Sequence, residues 1–192
     1  MAFASGWASG LNAYATVFVL GLLGRFTDAS QVPAGFERID VLVIMGVLAL
    51  LELVADKIPY LDSTWDAIST VIRPIAGGVI GALIAGQTGS TTAIVTSSTV
   101  GFLTALLSHL SKSGIRLAIN TSPEPVSNVT ASLANDASLV GILTLAVAHP
   151  VPAAIIVAVI LVVGLVLCLL LLAQIRRGLR ALRRPRHATD EL

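Results

Sequence analysis

The chain has 192 residues, of which 55% are hydrophobic and 12% are charged, and its mean hydropathy is +0.90. Soluble globular domains carry roughly 25% charged residues, so this composition excludes a soluble domain and predicts a polytopic membrane protein. Cys168 is the only cysteine, which excludes an internal disulfide and a cysteine-based zinc site. We predict an all-α transmembrane domain over residues 1–175, with about six transmembrane helices and short interfacial or re-entrant helices, and a basic tail over 176–192.

The first apolar segments predict two transmembrane helices separated by a polar loop. Residues 5–24 are long enough to span a bilayer, although they are rich in glycine and serine. A polar loop over 25–39 follows, and residues 40–57 predict the second helix. Pro59 is expected to end this helix, because proline removes a backbone donor and disfavours helix in the residue before it.

A short amphipathic helix is predicted over residues 62–72. Pro74 marks the start of a third hydrophobic helix over 73–88. Gly77 and Gly81 lie four residues apart in this helix, and small residues at that spacing let helices approach closely in lipid. The pattern therefore predicts a close helix contact, and it also permits a homo-oligomer.

The second half of the chain predicts a long helix, a polar segment and a broken pair of helices. The long helix covers residues 92–119, and the polar, proline-containing stretch "NTSPEPVSNVTASLAND" follows it. Residues 137–149 and 151–174 form the pair, interrupted at "HPVP". Unless the first member starts earlier, near Ser132, it is short enough to be re-entrant or tilted. A shared spacing of proline and polar residues in 58–69 and 124–135 indicates a two-fold internal repeat, with chance similarity as the alternative.

The basic residues predict the orientation of the chain. Half of the 12 lysines and arginines follow Gln174, namely Arg176, Arg177, Arg180, Arg183, Arg184 and Arg186. Because basic residues next to a final helix favour the cytoplasmic side, we expect six crossings with both termini in the cytoplasm. We expect these arginines to contact anionic lipid head groups of the bilayer and not nucleic acid.

Two sets of ionisable residues interrupt the apolar pattern. The acidic set repeats a four-residue spacing, which places neighbouring carboxylates on one helix face, and comprises Glu52, Asp56, Asp62 and Asp66. The basic set shares one face of the fourth helix and comprises His109, Lys112 and Arg116, with Asn120 one turn further.

We expect the two sets to face each other, because an unpaired charge in hydrocarbon costs about 2.5–3.5 kcal/mol on insertion scales. Glu52 or Asp56 is predicted to pair with Lys112 or Arg116. A second pair is predicted between Asp66 and Arg73. In a structural interpretation, these are buried ion pairs that fix the register of the helices.

The functional interpretation is a polar cavity that opens to the cytoplasm. In this hypothesis Glu52 takes up and releases a proton, while Lys57, Lys112 and Arg116 hold an anion. Metal binding by His109 with two carboxylates is weaker, because no paired-histidine spacing is present. No catalytic motif or nucleotide loop appears either, so we predict no catalytic residue, no metal and no cofactor, and an enzyme is disfavoured.

Three segments resemble a known family. They are "GLNAY" (10–14), "ELVADKIPYLDSTWDAISTVIRPIAG" (52–77) and "HLSKSGIRLAINTSPEPVSN" (109–128). In this order they resemble small bacterial membrane proteins catalogued as domain of unknown function 4126. The resemblance spans roughly residues 5–175 and implies a multi-pass helical protein, here expected in the bacterial inner membrane, without implying an activity or ligand.

The polar signature of that family falls on fourteen positions of this chain, namely Asn12, Glu52, Asp56, Lys57, Asp62, Asp66, Arg73, His109, Lys112, Arg116, Asn120, Ser122, Glu124 and Asn128. Related sequences often carry an acidic pair before the fifth helix, where this chain has Asn135 and Asp136.

The leading functional prediction is movement of a small solute or ion through a charged cavity that faces the cytoplasm. The predicted pathway comprises Glu52, Asp56, Lys57, Asp62, Asp66, Arg73, His109, Lys112, Arg116, Asn120, Glu124 and Asn128. One alternative is a non-transporting membrane scaffold or assembly protein, in which the same charges only hold helices together. The other is a protein that handles lipid head groups with its basic stripe.

Overall fold

A computed structural model describes residues 1–27, 29–58, 61–120 and 125–182, without the side chains of 62, 63, 118–120, 125–128 and 178–182. Within these ranges the chain is helical and contains no strand. The helices are α1 Ala2–Leu11, α2 Ala13–Phe26, α3 Ile39–Ala55, α4 Leu61–Gly86, α5 Thr91–Asn120, α6 Pro125–Ala148 and α7 Pro150–Leu182. A 3-10 turn, Ala34–Glu37, lies between α2 and α3.

Four helices of the described chain are long and apolar enough to cross a membrane, over Thr64–Gly86, Thr91–Leu117, Val129–Ala148 and Pro150–Arg177. The outer faces of the bundle are covered with large apolar side chains, including Val162, Val163 and Leu169 of α7. Apolar surface of this extent is covered by hydrocarbon in a membrane protein and would drive aggregation in water. The all-helical membrane architecture predicted from composition is therefore confirmed.

The predicted single helix over residues 5–24 is wrong, because the chain breaks at Asn12. This residue has an extended backbone, with φ −155° and ψ 107°, and separates α1 from α2. Its side-chain Oδ1 accepts a hydrogen bond from the backbone N–H of Ala15 at 2.8 Å. An asparagine at this position caps the first turn of the following helix, which stabilises the break. Hydropathy alone does not register such a cap within an apolar run.

The two helices that meet at Asn12 run in opposite directions. Gly6 of α1 lies against Gly101 of α5, and Gly10 lies against Ser108, so α1 runs parallel to α5. On α2, Gly21 lies against Leu42 and Gly24 lies against Glu37, so α2 runs antiparallel to the segment that enters α3.

The far ends of α3 and α5 come together through an ion pair between Asp56 and Lys112. At the opposite end, Gln87, which lies between α4 and α5, donates to the carbonyl of Gln31 in the loop before α3. Helix α3 therefore runs parallel to α5, and α1 and α2 form a V with its vertex at Asn12. Residues 4–13 are all buried, so α1 is enclosed by the other helices.

Helix α4 continues through Pro74, where the sequence predicts a boundary between two helices at 62–72 and 73–88. Proline removes only its own N–H from the helical ladder, and such a loss is tolerated in membrane helices when neighbouring groups hold the backbone. Here the buried side chain of Arg73 ties α4 to α3 through Glu52. The hydroxyl of Ser9 on α1 also donates to the carbonyl of Arg73 at 3.0 Å.

The close helix contact predicted from the glycines of α4 is confirmed, and its partner lies in the same chain. A Cβ atom added at Gly77 would lie 2.6 Å from the carbonyl oxygen of Gly101, and one at Gly81 would overlap the carbonyl of Ser97. The two backbones of α4 and α5 therefore touch without intervening side chains.

Helix α6 begins at Pro125, so residues 125–136 of the polar stretch are helical. The predicted helix start at 137 is therefore wrong, and the alternative of an earlier start near Ser132 is closer to the structure. The predicted interruption before the last helix is confirmed, since α6 ends at Ala148 and α7 starts at Pro150. Proline in the first helical turn has no intrahelical bond to lose. Helix α7 continues past residue 175 as far as Leu182. The two-fold internal repeat stays a prediction.

Candidate functional site

Seven ionisable side chains from α3, α4 and α5 meet beside the vertex of the α1–α2 V. We call this group the buried charge cluster. None of its members is more than 6% exposed, and they are Glu52, Asp56, Asp66, Arg73, His109, Lys112 and Arg116. Helical spacing explains the assembly, because Glu52 and Asp56 lie one turn apart at the end of α3 and the basic residues follow one face of α5.

Arg73 is the centre of the inner half of the cluster. Its Nη2 lies 2.6 Å from Oε1 of Glu52, and its Nη1 lies 3.1 Å from Oδ1 of Asp66. The same Nη1 lies 2.8 Å from Nδ1 of His109. The predicted pair of Asp66 and Arg73 is therefore confirmed. Glu52 also pairs with Arg73, because this guanidinium group reaches the carboxylates of both Glu52 and Asp66. Of the two acids predicted as partners of Lys112 or Arg116, Glu52 is therefore not the one that pairs with them.

Asp56 is the centre of the outer half. Its Oδ2 lies 2.6 Å from Nζ of Lys112, and its Oδ1 lies 2.9 Å from Nη1 of Arg116. These contacts confirm the predicted pairing between the end of α3 and the basic face of α5. Arg116 also lies 3.8 Å from Oδ2 of Asp66, which links the two halves into one network.

Backbone carbonyl groups at the broken helix contribute two further contacts. Nζ of Lys112 donates to the carbonyl of Leu11 at 2.8 Å, and Nη1 of Arg73 donates to the carbonyl of Gly10 at 3.4 Å. The last carbonyls of a helix have no partner within that helix and carry the negative end of its dipole. The C-terminus of α1 thus stabilises both cations. The sequence analysis missed this role. Its one signal in the sequence is an asparagine, a common helix-capping residue, at position 12 of an apolar run.

His109 is neutral in this arrangement. An arginine N–H can only donate, so Nδ1 of His109 accepts from Arg73 and carries no proton. The ring proton therefore lies on Nε2, which is 2.9 Å from the hydroxyl of Thr70 and 3.3 Å from that of Ser113. Both ring nitrogens are engaged, so a metal would have to displace a hydrogen bond. The cluster then holds three carboxylates and three cations and has no net charge.

Two cavities flank the cluster. One of about 210 Å³ lies between α4 and α5 and is lined by Asp66, Thr70, Ser113 and Arg116, among others. The other, of about 240 Å³, lies between α5 and α6, and its lining includes Lys112, Arg116 and Asn135. Arg116 borders both cavities.

The network leaves some buried atoms without a hydrogen bond. Within the described part of the chain, Nε of Arg73 and the hydroxyl of Ser108 have no partner. Oδ1 of Asp66 also has no hydrogen bond, although it lies 3.1 Å from Arg73 in an ion pair. Buried polar atoms are nearly always paired, so a water molecule or ligand would gain a hydrogen bond at any of these atoms.

The remaining predicted site residues lie at the edge of the cluster or outside the described residues. Lys57 is partly exposed, donates to the carbonyl of Leu53 and lies 3.7 Å from a carboxylate oxygen of Asp136 on α6. Glu124, Ser122 and the side chains of Asp62, Asn120 and Asn128 are not among the described atoms. Thr70, Ser113 and Ser108 belong to the site and were missed, because isolated hydroxyl residues are common on membrane helices.

Comparison with protein families gives a match over most of the chain. The model of the family described as "Domain of unknown function (DUF4126)" matches residues 1–169, which include every member of the buried charge cluster. No curated protein matches the chain, and no solved structure matches it.

Proposed function

The chain belongs to the DUF4126 family, and we propose that it is a membrane transport protein that moves a small anion through the buried charge cluster. The observation that carries this proposal is the broken helix. Carbonyl groups exposed where α1 ends hold Lys112 and Arg73 inside the bundle. Transporters commonly build their substrate and ion sites from discontinuous helices of this kind, which supply polar backbone groups within the membrane.

The anion would bind at the pair of cations that Asp56 now occupies. Lys112 and Arg116 each bind one oxygen of this carboxylate, and each of them lines a cavity. A small anion entering between α5 and α6 can replace the carboxylate on either cation without changing the number of charge pairs. In this proposal the present arrangement is the closed state, with Asp56 in place of the substrate.

The scaffold alternative is favoured by the tightness of the cluster. All six ions are paired, and a network of this kind can hold helices together in lipid. In that environment the hydrophobic effect does not drive association of helices, because lipid tails are as apolar as the side chains. Its weakness is cost, because each buried ion loses several kcal/mol of hydration and well-packed apolar residues would often serve as well. The two flanking cavities also have no role in a scaffold.

Anion efflux from liposomes tests the proposal. Liposomes containing the full chain would be loaded with chloride, nitrate, sulfate or inorganic phosphate, and efflux followed with ion-selective electrodes. We expect efflux of at least one of these anions above that of protein-free liposomes. Arg116→Gln should lower it about tenfold, the factor that corresponds to about 1.4 kcal/mol of lost interaction.

Arg177→Gln is the matched control, because Arg177 is an exposed arginine near the end of α7. This variant should retain full efflux. Folding of every variant would be checked by its elution as a single species and by its melting temperature. If liposomes containing the folded natural chain release none of the four anions faster than empty liposomes, the proposal of anion transport is wrong.

A further inference from the structure

We infer that His109 binds a proton in competition with Arg73, so that proton uptake opens the buried charge cluster. The inference concerns the same site as the proposed function. It rests on that function only for the purpose of the opening, which is to let an anion bind. The competition itself follows from one atom. Nδ1 of His109 has a single lone pair, and Arg73 occupies that lone pair with a hydrogen bond of 2.8 Å.

A proton and Arg73 cannot both be bound at this nitrogen. Once water delivers a proton to Nδ1, the ring carries an N–H on both sides and a positive charge, so it can no longer accept from the guanidinium. Arg73 must then move away from the ring. Its remaining partners are the carboxylates of Glu52 and Asp66 and the backbone carbonyl of Gly10, and the two carboxylates can follow it or release it.

The charged surroundings of His109 decide how the proton is tolerated. Arg73 and Asp66 face it from α4, and Lys112 lies one turn along α5. Glu52 of α3 reaches it through Arg73, while α1 approaches with the backbone of Gly10 and no ionisable side chain. Two cations oppose protonation and two carboxylates favour it. Removing Arg73 from the ring therefore shifts the balance towards the protonated form.

The cavity between α4 and α5 approaches the Nε2 edge of the buried ring through two hydroxyl side chains. Thr70 and Ser113 line that cavity, and their hydroxyls lie 2.9 Å and 3.3 Å from Nε2 of His109. The hydroxyl of Thr70 donates its own hydrogen to the carbonyl of Asp66, so its oxygen accepts a hydrogen bond from the Nε2–H group of His109. These two hydroxyls anchor the N–H of both the neutral and the charged ring, which leaves Nδ1 as the atom whose protonation changes.

The sequence interpretation places the titrating role on Glu52. The geometry points to His109, although neither side chain lines a flanking cavity. His109 is joined to the cavity between α4 and α5 through Thr70 and Ser113, which line it, whereas the side-chain partner of Glu52 is Arg73, which lines neither cavity. In the inferred sequence of events, His109 takes the proton, Arg73 leaves the ring, and the ion pairs of Arg73 rearrange. The coupled species is therefore a proton, taken up on the side of the bundle where α3 ends.

A pH jump without any substrate tests the inference. Proteoliposomes adsorbed on a solid-supported membrane would receive a step from pH 8 to about pH 4, and the transient current would be recorded. The step extends below the range in which an unperturbed histidine changes charge, because burial and the neighbouring Arg73 oppose protonation of this ring. We expect the natural chain to displace charge. His109→Asn should abolish the current, because the asparagine oxygen still accepts from Arg73 but binds no proton in this range.

His149→Asn is the matched control, since His149 lies at the junction of α6 and α7, away from the cluster. A current in His109→Asn equal to that of the natural chain would overturn the inference. If that variant does not fold, nitrogen NMR of histidine-labelled natural chain decides the matter. We expect His109 at pH 8 to show a proton on Nε2 alone, and a proton on Nδ1 contradicts the inference.

The two proposals fail in different ways. Displaced charge that depends on His109, without efflux of any of the four anions, would refute anion transport and leave proton binding intact. Anion efflux that is independent of pH and unchanged by His109→Asn would support transport and refute the role of His109.

Discussion

Arg73 joins three elements of the protein through one guanidinium group. It contacts Glu52 of α3, Asp66 of its own helix and His109 of α5, and it is 1% exposed. A fully buried arginine remains charged, so each of these partners is needed to offset the hydration that it loses. The residue thus determines both the spacing of the helices and the protonation of the histidine.

The pair of Glu52 and Arg73 should show strong energetic coupling. Either single variant, Glu52→Gln or Arg73→Gln, leaves an uncompensated buried charge, which typically costs about 3–5 kcal/mol of unfolding free energy. The double variant removes both charges and should lose much less than the sum of the two. Unfolding followed by circular dichroism in mixed detergent micelles measures all four proteins.

This cycle also separates the two functional interpretations. A scaffold predicts that the stable double variant has every property of the natural chain. Transport predicts a folded double variant with altered anion efflux, because Arg73 is part of the pathway. Additive losses of stability in the two single variants would show that the 2.6 Å contact carries no coupling.

Among the secondary-structure elements, the helix break at Asn12 is the feature on which the site depends. Without it, α1 and α2 would form one helix and the carbonyls of Gly10 and Leu11 would be bonded within that helix. The cap also aligns the vertex with Lys112, whose Nζ lies 2.8 Å from the carbonyl of Leu11. An element boundary therefore creates a binding group that no side chain supplies.

Removing the cap should weaken the site before it unfolds the protein. Asn12→Ala deletes the acceptor of the 2.8 Å bond from Ala15 and should cost about 0.5–2 kcal/mol. Asn12→Ser keeps a capping oxygen and should retain most of the stability. The melting temperature in detergent and anion efflux would be compared. Equal melting temperatures for the two variants would show that the side chain of Asn12 does not hold the break.

At the scale of the whole molecule, the sequence predicts the charge pairing better than the path of the chain. The acidic and basic faces follow from helical spacing together with the cost of an unpaired charge in lipid, so Asp56 with Lys112 and Asp66 with Arg73 could be expected. The V of α1 and α2 could not, because Asn12 barely changes the hydropathy of its segment. Continuity through Pro74 depends on contacts from α1 and α3, which are tertiary and have no local signature.

The bundle should admit water to the cluster from one end only. Ala134 lines the cavity between α5 and α6, beside Lys112, whereas Val140 lies further along α6 on its exposed apolar surface. In a Cys168→Ala background, a cysteine in place of Ala134 should react with a membrane-impermeant thiol reagent, because thiolate forms only where water reaches. Val140→Cys is the control on the same helix and should stay unreactive in lipid. Lys57→Cys, just beyond the end of α3, should react from the same side of the membrane as Ala134→Cys. Labelling both variants in vesicles of the two opposite orientations would show which side each cysteine faces. Equal protection of Ala134→Cys and Val140→Cys would mean that the cavity is dry, which would leave an anion no route to Arg116.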